Sequence, residues 1–164
     1  MGTARHAFAA YNLNSVKIAY IYNITKFTRW PDSTWPTKNS PFQFCVYGEG
    51  DVIDGLKALQ QKQIDGHPIE VLKLDNELGF DKCNALYIDA GERRRYRYLL
   101  SLIDLKTVLT ISDGISFLHY GGLITLVEED QRVRFQVNME QLHQSILQFS
   151  SKMLKLAILI DNPT

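Results

Sequence analysis

Apolar residues recur at three- and four-residue steps from Leu13 to Trp30, through Val16, Ala19, Tyr20, Ile24, Phe27 and Trp30, which predicts an amphipathic helix ended by Pro31. The opposite face is not polar. Ile18, Ile21 and Tyr22 fall on it, so that face is either covered within the chain or held for a second subunit or partner. Residues Asp32 to Pro41, polar and broken by Pro36, read as a loop. An alternation of β-rich and helical runs follows. Phe42–Tyr47 is a strand, Asp51 caps a helix through Gln60, Ile69–Leu74 is a strand and Ala85–Ile88 a short buried strand. Glu92–Ile103 has helical spacing through Tyr96, Leu99, Leu100 and Ile103, and Thr107–Ile111 is a further strand. Such alternation implies right-handed crossovers and a largely parallel sheet.

The pattern changes after Gly121. Gly122–Val127 and Arg132–Val137 flank the polar turn Glu128-Glu129-Asp130-Gln131, which predicts an antiparallel hairpin at the end of the sheet. In its second arm Val133, Phe135 and Val137 alternate with Arg132, Arg134 and Gln136, one face buried and the other wet. Asn138 is placed to cap a final helical region, with Gln141 as in a capping box.

Composition narrows the class. A chain of 164 residues with 45% hydrophobic and 22% charged residues is a globular composition of one-domain size. Lysine plus arginine and aspartate plus glutamate number 18 each, so no net field draws the chain toward nucleic acid. The most apolar stretch, Ile146–Ile160, is interrupted by Gln148, Ser150, Ser151, Lys152 and Lys155 and does not read as a bilayer span. Met1–Ala10 lacks the apolar core of an export signal, and residues 1–12 are expected to be disordered or non-native, ahead of a single domain over residues 13–161. The spacing of Cys45 and Cys83 alone does not choose between two buried thiols and one disulfide.

A parallel sheet holds ligands beyond the carboxyl ends of its strands, which here read Gly48-Glu49-Gly50-Asp51, Asp89-Ala90-Gly91-Glu92 and Ser112-Asp113-Gly114. The first lacks the third glycine of a phosphate cradle and carries an acid in its place, so capping carboxylates beside turn glycines are the better reading. Asp89 stands where a phosphoacceptor would. The first strand, however, ends in Gly48 without an acidic pair, and Arg132–Val137 supplies no lysine. No Gly-x-Ser-x-Gly elbow occurs, and Ser150-Ser151 lies in helical sequence. His67, His119 and His143 have no second ligand at metal-binding spacing. Arg93-Arg94-Arg95 with Arg97 could hold an anion, though such a run is more often a solvated face. No catalytic, cofactor or metal residue is expected.

Two stretches resemble the YfiR family. The first runs from Val16-Lys17 through Tyr22-Asn23 and Lys26-Phe27 to Trp30-Pro31. The second comprises Gly121-Gly122-Leu123-Ile124, Val127-Glu128, Arg132-Val133-Arg134-Phe135, Asn138 and Ser150-Ser151-Lys152 with Leu154 to Ala157. The resemblance covers Asn14 to Ile160 and implies a periplasmic, Rossmann-like α/β three-layer sandwich with a mostly parallel sheet and a C-terminal antiparallel hairpin. It also implies a protein that dimerises and acts by binding, as a repressor of a membrane-bound sensor or diguanylate cyclase. The alternative class is a small-ligand-binding or transport-accessory domain. Some relatives carry a second cysteine pair around the Gly-Gly motif, where this chain has Leu118 and Thr125. Cys45, within the first strand, and Cys83, just before Ala85–Ile88, are expected to form a disulfide, because adjacent parallel strands bring such positions close. The expected contact residues are Ile18, Ile21 and Tyr22 for a homodimer, and Arg132, Arg134 and Gln136, on an edge strand, for the partner.

Overall fold

The buried runs resolve, in a computed structural model that describes the backbone of residues 2–164 and the side chains of residues 13–164, into ten strands and five α-helices. In chain order these are α1 (Gly2–Phe27), β1 (Thr28–Arg29), β2 (Phe42–Tyr47), α2 (Asp51–Gly55), β3 (Gln63–Ile64), β4 (His67–Leu74), β5 (Ala85–Ile88) and α3 (Tyr96–Ser101). There follow β6 (Leu109–Ser112), β7 (Ile124–Glu129), β8 (Arg132–Asn138), α4 (Met139–Gln144), β9 (Gln148–Phe149), α5 (Ser151–Leu156) and β10 (Ile158–Ile160). Met1 and the side chains of residues 2–12 lie outside the described residues, and with them most of what was expected of that segment.

Eight strands form one sheet in the order β10-β8-β7-β6-β5-β2-β4-β3, parallel throughout except for the β7–β8 and β3–β4 pairs. Its two faces bury separate clusters, because alternate residues of one strand point to opposite sides. Phe42, Phe44 and Val46 of β2 with Ala85 and Tyr87 of β5 meet α1 and α2; Cys45, Tyr47, Leu86 and Ile88 meet α3. Helices on both faces of a mostly parallel sheet make the α/β three-layer architecture.

Three expectations are corrected. The hairpin is not the end of the sheet, since β10 pairs in parallel with β8 through Ile158–Gln136, Leu159–Val137 and Ile160–Asn138. The expected C-terminal helical region is broken into α4, β9, α5 and β10, with Asn138 capping α4 and Ser150 capping α5 through the amide of Met153. A hairpin joins β3 to β4, so β4 begins at His67 instead of Ile69; its turn places Asp65 and Gly66 at φ 50 and 82, the left-handed pair of a two-residue hairpin loop.

The orientation of α1 is corrected as well. Lys17, Ile21, Ile24 and Thr25 face inward, while Val16, Ala19 and Phe27, expected in the core, are exposed. The helix ends at Phe27. Thr25 and Thr28 donate their hydroxyls to the carbonyls of Ile21 and Ile24, and the Trp30 indole donates to Thr25 O at 3.0 Å while its ring packs edge-on against Phe42. These bonds satisfy helix carbonyls that would otherwise be buried without partners. The antiparallel β1–β9 pair ties the end of α1 to the start of α5.

Candidate functional site

From β2 the chain moves outward to β4 and then returns across to β5, β6 and β7, so the winding reverses between the carboxyl ends of β2 and β5. Ligand crevices of open α/β sheets form at that point. Here it is lined by Gly48–Asp51 after β2 and Asp89–Glu92 after β5, the segments singled out in the sequence. Gly48 and Gly50 hold φ of +112 and +142, a region that side chains rarely adopt. A Cβ on Gly48 would stand 2.8 Å from Asp89 Cβ, and one on Gly50 3.2 Å from Asp89 Oδ1. The glycines therefore make room for the carboxylate of Asp89, which caps the following turn by accepting from Gly91 N at 2.8 Å. A fixed negative charge occupies the place a nucleotide's phosphate would need, which disfavours anion binding there.

Beside it, Lys17 reaches across from α1. Its Nζ lies 2.7 Å from Glu128 Oε1 and 3.4 Å from Asp113 Oδ2, while Asp113 Oδ1 accepts from Ala90 N at 3.1 Å. Burial opposes the charge on Lys17, but the bond to Glu128 and the fields of Asp113 and Glu128 outweigh it and hold the ammonium above the ordinary lysine range. Tyr96 O–H donates to Ser112 Oγ at 2.6 Å, since the serine's own proton goes to Ile88 O. Desolvation pushes the Tyr96 phenol up to about 12. Among the described residues the Tyr87 hydroxyl, fully buried beside Asp113, has no partner in hydrogen-bonding geometry, and burial holds it protonated. The ensemble locks α1 onto the strand ends through paired charges and presents no nucleophile next to a base. Among the described residues no three His, Cys, Asp or Glu side chains converge as a metal ion requires.

Asp89 supplies a pH test. Burial raises its pKa, with Asp113 and Glu92 adding to the shift and the Gly91 amide opposing it. A carboxyl whose folded pKa lies above its unfolded value costs stability once ionised. That cost is absent below the unfolded value and complete above the folded one. Asp89→Asn, which keeps an acceptor for Gly91, is thus expected to melt above wild type at neutral pH and level with it near pH 3. Thermal melts at both values decide it; a variant less stable at neutral pH would refute the reading.

The structure distributes the other expected residues widely. Ile21 is fully buried in the chain's own core, and Ile18 and Tyr22 are half-buried, Ile18 against Gly55 and Tyr22 reaching Gln63 O. Ile21 thus belongs to the monomer's own core, while Ile18 and Tyr22 stay partly exposed. Arg132 and Arg134 are exposed as expected, but β10 covers β8 from Gln136 onward, so only its first half is an open edge. Cys45 and Cys83 are bonded, with Cα atoms 5.7 Å apart. His67 Nδ1 donates to Ser40 O at 2.6 Å and the ring stacks on Trp35 at 3.8 Å, a packing role. Lys17 and Glu128 were not read as site residues. The available signal was a lysine on a helix face otherwise made of Ile21 and Ile24.

A cavity of about 470 Å³ lies at the other end of the sheet, between Ser33, Ser40, Gln43, Asn84, Thr107 and Ile146; one of about 370 Å³ adjoins Lys17, Asp113, Ile115 and Glu128.

A doubly wound α/β domain, cross-linked from β2 to the loop before β5 and sealed at its switch point by its own carboxylate, is the class that fold and site define. The pattern of the YfiR/HmsC-like family matches residues 14–158, and the chain belongs to that family. Among solved structures it is similar to one described as the ABC domain in complex with L-Trp from Streptococcus pneumonia, with a TM-score of 0.55 at 12% identity. That match covers 73% of this chain and 55% of the other, so the chain spans little more than half of that structure, and the likeness concerns the fold alone.

Proposed function

We propose that this protein is a periplasmic, non-catalytic regulator that binds a membrane-bound signalling enzyme, a diguanylate cyclase, and holds it in check. The observation that carries the reading is family membership over residues 14–158, since the family is known chiefly for such repressors. Two features support it. The Cys45–Cys83 bridge suits an oxidising compartment, where disulfides persist. The switch-point crevice, where a substrate or nucleotide would sit, is filled by Asp89, which supports action through surface contacts. The wet face of β8, with Arg132 and Arg134 at its uncovered half, offers two guanidinium forks and free backbone groups to a partner.

Deleting the gene is expected to raise cyclic di-GMP and surface attachment in the host, and wild-type protein directed to the periplasm to restore both. Charge reversal at Arg132 and Arg134 in a stably folded protein is expected to abolish that restoration. Full repression by the double variant would clear β8 of the role. Unchanged cyclic di-GMP, with no sensor co-purifying from native membranes, would end the repressor reading. The polar 470 Å³ cavity at the amino ends of the strands would then favour the small-ligand-binding alternative.

A further inference from the structure

Four of the chain's 18 lysines and arginines stand within five positions, Arg93, Arg94, Arg95 and Arg97, at the start of α3. All four are exposed. Arg95 is compensated: it pairs with Glu77 and Glu92 and donates to Tyr47 Oη at 2.8 Å. Arg93 donates to Ala90 O, and among the described residues Arg93, Arg94 and Arg97 make no ion pair. The guanidinium of Arg95 lies 5.6 Å from the ring centre of Tyr98, and that of Arg97 5.8 Å from the ring of Tyr120. Both rings are themselves exposed, at 53% and 38%. The segment bearing Tyr120 also carries Ile115, which is 95% exposed, and it is pressed against the first turn of α3: a Cβ on Gly114 would overlap the Tyr96 ring.

Three cations without carboxylate partners, one of them over Tyr120, with the exposed Tyr98 ring beside them and an exposed aliphatic tip, form a surface with two affinities. Guanidinium forks match phosphate oxygens, and tyrosine rings settle at the level of lipid headgroups. An isoleucine exposed to this extent gains by entering an apolar layer. Arg93, Arg94, Arg97 and Tyr98 are exposed, while Tyr120 and Ile115 stand at the rims of the 260 and 370 Å³ cavities, Ile115 on the side of Asp113 and Glu128. We propose that the surface formed by Arg93, Arg94 and Arg97 with Tyr98, Tyr120 and Ile115 docks the protein on a bilayer bearing anionic phospholipid.

The test uses the full chain and vesicles of phosphatidylcholine with or without phosphatidylglycerol, and contains no cyclase, so it stands apart from the repressor reading. Wild type is expected to sediment with the anionic vesicles and not the neutral ones, and salt is expected to weaken that association. Arg94→Glu/Arg97→Glu is expected to reduce binding by at least about tenfold. Ile115→Ser is expected to weaken binding without changing its salt dependence. Arg94→Gln/Arg97→Gln gives the same readout should the charge reversals not fold. No association of wild type with anionic vesicles, or equal binding by a folded double variant, overturns the proposal. Binding to poly-glutamate without binding to vesicles also overturns it and assigns the surface to an acidic protein segment.

Discussion

Replacing Cys45 and Cys83 together by Ala is expected to lower the unfolding free energy by about 3–4 kcal/mol. The bridge joins residues 38 apart, and in the chain-entropy model a loop of that length restricts the unfolded chain by this amount. The enclosed segment contains α2, β3 and β4, the whole flank of the sheet beyond the switch point. Without the bridge, that flank is held by the β2–β4 ladder and the apolar contacts of Val52, Ile53, Leu56 and Ile69. Both cysteines are buried, so Ala is the replacement that leaves no unpaired hydroxyl inside. Against a total of about 5–15 kcal/mol for a domain, the loss is large. It corresponds to a fall in melting temperature of about 6–16 °C at this size. Denaturant titration of the double variant, and of wild type in reductant, should give the same reduced midpoint. A variant that unfolds with wild type would show that the bridge constrains nothing the fold does not already fix.

How far the sequence disclosed this structure depends on whether a signal is local. The order of β2, β4, β5 and β6 was legible because each is a short buried run bounded by turn residues, and the disulfide followed from placing Cys45 on one strand and Cys83 just before its neighbour. Asp89 was legible as a strand-end cap. Its position between Gly48 and Gly50 was not, because only the pairing of β2 with β5 brings those segments together. The rotation of α1 was misread for a related reason. Apolar residues occur on both of its faces, and the inward face carries Lys17, which an apolar-stripe criterion assigns to solvent. Lys17 is tolerated there because Asp113 and Glu128, distant in sequence, neutralise it. Likewise Ile158–Ile160 carries no mark of its partner, and its pairing with β8 comes only from the fold's need to cover an edge. The β3–β4 turn is different. Asp65-Gly66 is a hairpin signal, hidden once the strand is started at Ile69, because His67 and Pro68 then have no pairing partner.

Asn138→Asp is expected to cost about 3–5 kcal/mol at neutral pH, and to cost less in acid. Asn138 ends β8 and is 4% exposed. Its Oδ1 accepts from Gln141 N at 3.0 Å, capping α4, while Nδ2 donates to Leu118 O at 3.2 Å and to Gly122 O at 3.1 Å. The side chain thus closes the turn before β7 against the end of β8. A carboxylate keeps the cap but loses both donors; Leu118 O still accepts from Gly121 N, so the buried Gly122 carbonyl is the one left without a donor, at a cost of about 1–3 kcal/mol. Its charge would also face those two carbonyl oxygens at a buried position. The introduced carboxyl therefore has a folded pKa above its unfolded value of about 3.9. The charge-dependent part of its cost is absent below that value and grows as pH rises toward the folded pKa. Asn138→Ala removes cap and donors alike but adds no charge, so its deficit is expected to hold steady across the same range. Denaturant titrations of both variants from pH 3 to pH 7 separate the contributions. A carboxylate variant within about 1 kcal/mol of wild type at pH 7, which is less than one orphaned carbonyl should cost, would mean that the turn finds another donor. A deficit unchanged by acid would mean that the charge escapes to solvent and that the lost donors account for all of it.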